Sequence, residues 1–254
     1  MKQTDSGKQP LYYGWYIVFT CMFIALVTNG VRNSFAIFII PLETDFGWSR
    51  GELSIAASVG FFANAVTQPF LGRIFDWQGG RRVLLVSMIV FGVATVLLSL
   101  TFHFLFLVFL FGLVSGIAAS GTSLSNTMAL VSRWFRRRRG TVTGINATGL
   151  AAGGFLIVPF AAYMLEATSW RITWAILGML VLGLGVPLSY LFLRDDPSKI
   201  GLQIDGDPEP PVEGPTKIPD RPRGPLEVDR WAQAFRSWPI WQLSGSYFVG
   251  GFTT

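Results

Sequence analysis

The chain has 254 residues, 51% of them hydrophobic and only 14% charged, with a mean hydropathy of +0.47. A soluble domain carries about 25% charged residues, so too few polar groups remain to cover a water-facing surface of this size, and composition selects a membrane protein. One cysteine (Cys21) excludes an internal disulfide and a thiolate metal site, and one histidine (His103) excludes a His-based triad or zinc cluster. No metal, cofactor or catalytic residue is expected.

Six apolar segments are long enough to cross ~30 Å of hydrocarbon at 1.5 Å per residue. They lie near Trp15–Ile40, Leu53–Phe70, Val83–Leu100, Phe104–Leu130, Val142–Leu165 and Ile172–Leu193. Short connections make successive spans antiparallel neighbours. Trp15, Trp48, Trp134, Trp170 and Trp174 fall at the expected interfaces. The first segment is too long for a signal-peptide core and is read as a retained anchor.

The net charge of +5 is distributed by side. Loops on one side hold Lys2, Lys8, Arg73, Arg81, Arg82, Arg133 and Arg136 to Arg139; those on the other hold Arg50 and Arg171. This bias places residues 1–14 in the cytoplasm and argues for membrane topology, not nucleic-acid binding. The location expected is the inner membrane of a bacterium.

From Arg194 the character changes. The stretch 194–238 is rich in proline and charge and reads as a cytoplasmic linker ending in a short interfacial helix. Residues 239–254 turn apolar again but are too few to span, and read as the start of a seventh span. The domain expectation is therefore a six-helix bundle over 15–193, joined by this linker to a further half beyond Thr254.

Arg32 is the one charge away from the end of a span. A lipid-facing arginine at mid-depth costs several kcal/mol, so it faces either a wet cavity or, by snorkelling, the outer headgroups. Asn29 and Asn33 lie beside it; Ser115, Ala119, Thr122 and Asn126 form a small, polar stripe in the fourth span; Asn64 and Gln68 are one turn apart in the second. Such groups serve either a cavity or interhelical bonding.

Two turns carry motifs. GRIFDWQGGRRVLL (Gly72–Leu85) resembles the major facilitator superfamily signature G-x-x-x-D-R/K-x-G-R-R/K: Gly72, Asp76, Gly79 and Arg81 match, while Trp77 and Gly80 stand where the family has cations. Gly72 is expected to admit a neighbouring helix and Asp76 to pair with nearby arginines. WFRRRRGTVTGINATGLAAGG (Trp134–Gly154) resembles the monocarboxylate-porter signature through Trp134, Phe135, Arg137, Arg138, Arg139, Gly144, Gly149 and Gly153. Its glycines suggest a thin, packing helix face, and its arginines either a topology determinant or a gate. YYGWYIV (Tyr12–Val18) and FGWSRGELS (Phe46–Ser54) look like the bacterial monocarboxylate and oxalate–formate porters. In animal monocarboxylate porters a lysine toward the outer end of the first span is implicated in carboxylate binding, and Arg32 falls at that place.

The resemblance implies an all-α fold, the N-terminal half of a major facilitator transporter with two inverted three-helix repeats. It implies alternating-access transport of a small organic anion, proton- or anion-coupled, with Arg32, Asn29, Asn33, Thr122 and Asn126 as candidate binding residues. The partners implied are the bilayer, the C-terminal half and the anion, possible proton included, and no nucleic acid. The fourth span lacks the arginine many drug antiporters carry, and Gly154 stands where the antiporter signature ends in proline. No Walker, dinucleotide or serine-elbow motif appears, which argues against an enzyme. The rivals are exchange or efflux of another solute, and a six-span anchor or sensor.

The topology is testable. Cysteines placed at Glu43 and Glu166 in a Cys21→Ser background are expected to react from outside with an impermeant thiol reagent; labelling at Thr141 but not at Glu43 would reverse the orientation.

Overall fold

The computed structural model describes residues 12–206 together with 238, 241, 242 and 245. All the regular structure in residues 12–206 is helical, in six spans. Span 1 is α1 (Gly14–Asn33) and α2 (Phe35–Phe46), bent at Ser34, whose hydroxyl donates to the Gly30 carbonyl at 2.9 Å. Such back-bonding bends helices. Span 2 is α3 (Arg50–Gln78), started by a full capping box between Ser49 and Glu52. Span 3 is α4 (Gly80–Leu97).

Span 4 is not one helix. It runs as α5 (Phe104–Leu107), a π-helical turn Val108–Val114 and α6 (Ser115–Gly121), breaks at Thr122–Ser123, and resumes as α7 (Leu124–Trp134). Span 5 is α8 (Arg139–Ala167); span 6 is α9 (Trp170–Leu180), a second π-turn and α10 (Val186–Phe192). Five of the six spans are long and apolar enough to cross a membrane by themselves. The exception is α3, which has 29 residues, about 43 Å. It carries Ser54, Ser58, Asn64, Thr67 and Gln68 along its length.

Three pairs of spans meet backbone to backbone. Span 1 lies along span 5, span 2 along span 4, and span 3 along span 6. A Cβ on Gly30 would sit 2.6 Å from the Gly153 carbonyl oxygen, one on Gly116 2.6 Å from the Gly60 oxygen, and one on Gly178 3.0 Å from the Gly92 oxygen. Exchanging spans 1–3 with 4–6 turns the 1·5 contact into 4·2 and leaves 3·6 unchanged. That is the pattern of two three-helix repeats about a pseudo-two-fold axis.

Some expectations change. Gly149 and Gly153 do pack, against the carbonyls of Met22 and Leu26, but Gly144 faces open space. Five residues are 500° of helix, so Gly144 lies about 140° round from Gly149. Gly72 likewise has nothing within 4 Å of its Cβ position. Trp134, Trp170 and Trp174 are buried, not set in a lipid-facing belt. The Trp134 indole donates to the Arg194 carbonyl (3.2 Å), that of Trp170 to Asp45 (2.6 Å), and Trp174 stacks on Phe38. The residues read as an interfacial helix and a seventh span fall outside the described ones, except for the four named above.

Two outcomes follow from this packing. Gly153→Val forces α1 and α8 apart and is expected to cost about 1–3 kcal/mol or more; Gly144→Ala is expected to be neutral or to stabilise, by up to ~1 kcal/mol from helix propensity. Thermal unfolding in detergent compares them. Asn126 is the second case. Its amide donates to the Ser120 (3.2 Å) and Gly121 (3.0 Å) carbonyls at the break. Asn126→Leu removes both bonds, leaving the Ser120 carbonyl only the Ser123 backbone N–H, and is expected to destabilise by ~1–3 kcal/mol in the same measurement.

Candidate functional site

Arg32 lies deep in its span. Span 1 extends to Phe46, so fourteen residues, about 21 Å of helix, separate Arg32 from its far end. That exceeds the reach of an arginine side chain. Its guanidinium sits 5.1 Å from the centroid of the Phe61 ring on α3. The ion pairs among the described residues are Arg50–Glu43 and Arg133–Asp76, and neither includes Arg32.

Two cavities meet at this residue. The larger, about 410 Å³, is lined by Arg32, Asn29 and Asn33, by Ser54, Ser58 and Phe61 of α3, and by Phe111 and Ser115 of span 4. The smaller, about 170 Å³, lies between spans 1, 2, 4 and 5 and includes Arg32, Asn29, Asn64, Gln68, Thr122 and Ser123. No carboxylate lines either one.

The structure sorts the five residues singled out by sequence. Arg32 and Asn29 line both cavities, Asn33 the larger and Thr122 the smaller. Asn29 also donates to the Leu150 carbonyl (2.7 Å), which ties span 1 to span 5. Asn126 lines neither: it is buried and holds the carbonyls at the span-4 break. Sequence reasoning had placed it on the cavity stripe by assuming a continuous helix; the break rotates it off. Phe61, Ser54, Ser58 and Ser123 were missed, because serine and phenylalanine carry no signal until a neighbour is known.

The loop motifs gather at the opposite end, with Tyr12. Gly79 (φ +93°) ends α3 and starts α4, and a Cβ there would lie 2.8 Å from the Asp195 carboxylate. Asp195 accepts the Arg81 backbone N–H at 2.8 Å, and the Arg81 guanidinium donates to the Tyr190 carbonyl. Asp76 reaches Arg133 at 3.8 Å. In the second motif the backbone N–H groups of Arg136 and Arg137 donate to Asp205 (2.9 and 2.8 Å), Arg138 is exposed, and Arg139 turns back onto the Ser132 and Phe135 carbonyls. Tyr12 donates to the Trp134 and Gln203 carbonyls here. Residues 194–206, assigned by composition to the linker, therefore fold onto this face; the carboxylates of Asp195 and Asp205 take up backbone donors that composition cannot reveal.

Comparison with known proteins agrees with this architecture. The family model described as Major Facilitator Superfamily matches residues 18–254. Similar curated proteins include the uncharacterised MFS-type transporter YcxA of Bacillus subtilis, 23% identical over 183 residues, 72% of this chain and 45% of that protein. Monocarboxylate transporter 13 of Bos taurus is 28% identical over 190 residues (73% and 44%), and human monocarboxylate transporter 7 is 25% identical over 195 (75% and 37%). The matched part spans less than half the length of these curated relatives. A crystal structure of a bacterial homologue of the human lysosomal transporter Spinster, inward-facing and unoccupied, superposes with a TM-score of 0.61 at 18% identity, covering 91% of this chain and 49% of that one. With the family match running from residue 18 to residue 254 across a bundle of this helix pairing, the chain belongs to the Major Facilitator Superfamily.

Proposed function

We propose that this chain forms the N-terminal bundle of a secondary transporter that moves small organic anions of the monocarboxylate type by alternating access against a C-terminal bundle. The observation that carries the reading is Arg32, an interior cation that lines both cavities with no carboxylate partner among the described residues. A cation in a low-dielectric cavity attracts an anion far more strongly than the same pair in water. The names of the relatives, monocarboxylate transporters among them, support the same substrate class.

In this reading Asn29, Asn33 and Thr122 contribute polar contacts around the bound carboxylate. The acidic residues of the described spans, Glu43, Asp45, Glu52, Asp76 and Glu166, lie near helix ends. A proton-carrying carboxylate at mid-depth would belong to the other bundle, and a counter-anion is the alternative driving force. The N-terminus is cytoplasmic and the membrane is the bacterial inner membrane. Arg138, exposed on the cytoplasmic face, is the motif cation placed to meet a carboxylate of the second bundle, whereas Arg139 is held by its own chain. Exchange or efflux of another solute uses the same fold; the unpaired Arg32 favours an anion over either a neutral solute or a plain membrane anchor.

The test uses Arg32 in the full-length transporter. Loss of a charge-assisted bond worth roughly 1.5–3 kcal/mol predicts about 10- to 150-fold weaker anion binding for Arg32→Gln at normal abundance. Arg32→Lys keeps the charge without the planar fork and is expected to be intermediate. Arg32→Gln that binds and transports like the parent would overturn the assignment.

A further inference from the structure

The break in span 4 opens onto the smaller cavity. Thr122, Ser123 and Leu124, which flank it, line that cavity together with Arg32 and Gln68. Ser123 is the N-cap residue of α7 and has an extended backbone (ψ 155°), the usual setting for a hydroxyl that caps its own helix. It does not cap: α7 has no side-chain cap, and the Ser123 Oγ is buried with no hydrogen-bond partner. Serine, asparagine and aspartate at this position ordinarily accept an N–H from the first turn, so both the hydroxyl and the first-turn donors lack their usual side-chain partner.

Two other groups offer donors to this space, whereas the amides of Asn29 and Asn64 donate to the Leu150 and Gly116 carbonyls. Arg32 has its aromatic contact with Phe61 and no ion pair, and the Gln68 amide has no hydrogen bond with a described residue. A helix N-terminus adds partial positive charge and aligned N–H groups, and non-helical backbone at membrane depth persists where it lines a cavity or is buried in protein. A guanidinium, an amide, a hydroxyl and a helix N-terminus around a space without a carboxylate make a site that is electrostatically complete only when an anion is present. At about 30 Å³ per water, 170 Å³ holds some six waters, room enough for a small carboxylate.

We propose that the broken fourth span provides an anion subsite, in which the Ser123 hydroxyl and the leading N–H groups of α7 bind the face of an oxyanion opposite Arg32, with Gln68 at its edge. The inference rests on the anion reading of Arg32 and adds a second anchor to it. Two anchors on different spans have a mechanical consequence: the bound anion ties α7 to span 1 across the cavity, and an empty site leaves the break held by bonds within span 4, those of Asn126 and of the Thr122 and Ser123 backbone among them.

The experiment measures saturable thermal stabilisation of the purified full-length transporter by sodium formate, acetate, pyruvate and benzoate, each against sodium chloride at equal ionic strength. The most strongly stabilising of the four then serves as the probe. Ser123→Asp supplies a residue favoured at an N-cap and suited to the helix dipole, but puts a carboxylate where the anion would sit. It is expected to unfold at or above the parent temperature without probe, and to bind the probe at least tenfold more weakly. Ser123→Asn, a neutral cap of similar quality, is expected to bind within a few-fold of the parent. Ser123→Ala, which loses one neutral hydrogen bond, is expected to bind about 2- to 10-fold more weakly. Probe binding unchanged in both Ser123→Asp and Ser123→Ala overturns the subsite. So does an equal loss in all three variants that tracks a lowered unfolding temperature, because that is a structural role. If Arg32→Gln loses binding while Ser123→Asp keeps it, the subsite fails and the Arg32 reading stands. If none of the four anions stabilises the parent, both fail.

Discussion

At Gly153 the Leu26 carbonyl lies where a side chain would begin, and the Gly30 nitrogen is 2.9 Å from the same point. Lipid tails are as apolar as leucine, so helices in a bilayer gain little from burying apolar surface against each other; they associate through close packing and hydrogen bonds. The 1·5 seam uses both, since Asn29 donates to the Leu150 carbonyl between the two glycine contacts. This seam also aims Arg32. Gly30 faces span 5, and two residues on are 200° of helix. Arg32 is therefore turned away from span 5, toward Phe61 and the cavities. A bulkier residue at Gly30, Gly149 or Gly153 would alter that aim as well as the packing.

The same geometry explains where the chain is irregular. Under the pseudo-two-fold exchange, span 1 corresponds to span 4, and these are the two spans with an interruption beside a cavity. Span 1 bends at Ser34, four residues past the glycine that touches span 5; span 4 breaks at Thr122, six residues past the glycine that touches span 2. Breaking a helix within the hydrocarbon region exposes carbonyls and N–H groups, each costing several kcal/mol if unsatisfied. At Ser34 a hydroxyl takes the Gly30 carbonyl; at Thr122 the Asn126 amide takes two carbonyls. The carbonyl side of the span-4 break is thus satisfied internally, whereas the first turn of α7 has no side-chain cap. That asymmetry makes the break a donor site.

The periodic and compositional features were legible in the sequence. Six apolar stretches of sufficient length gave the spans, and Arg32 stood out because a charge in such a stretch is costly wherever it points. What depended on a partner was not legible. The run FLFLVFLFGLV reads as uniform helix, and nothing in it marks a π-turn, within which Gly112 lies close against the Ala56 carbonyl of α3. Asn126 looked like a cavity residue because its spacing was counted along an unbroken helix. Gly144 looked like part of a packing face because it sits in a glycine motif, although its angle carries it off the seam. Ser123 carried no signal at all: a serine in an apolar span is unremarkable until its hydroxyl is found without a partner.

The arginine-rich end face follows a different logic from Arg32. Its nearby carboxylates also serve the backbone. The Asp76–Arg133 pair is long, 3.8 Å, with the Asp76 side chain 81% exposed; pairs of that kind contribute about 0–1 kcal/mol. Asp195 and Asp205 accept backbone N–H groups of the two motif turns. Charged acceptors on backbone donors make stronger bonds than neutral ones, so the turns are held by their main chain while Arg136 and Arg138 stay exposed. Gly79 is required in this arrangement twice over, once for its positive φ and once for the space that Asp195 occupies. Positive charge is thereby retained on one face, the kind of asymmetry that sets orientation in a membrane, and Arg32 is in no ion pair among the described residues.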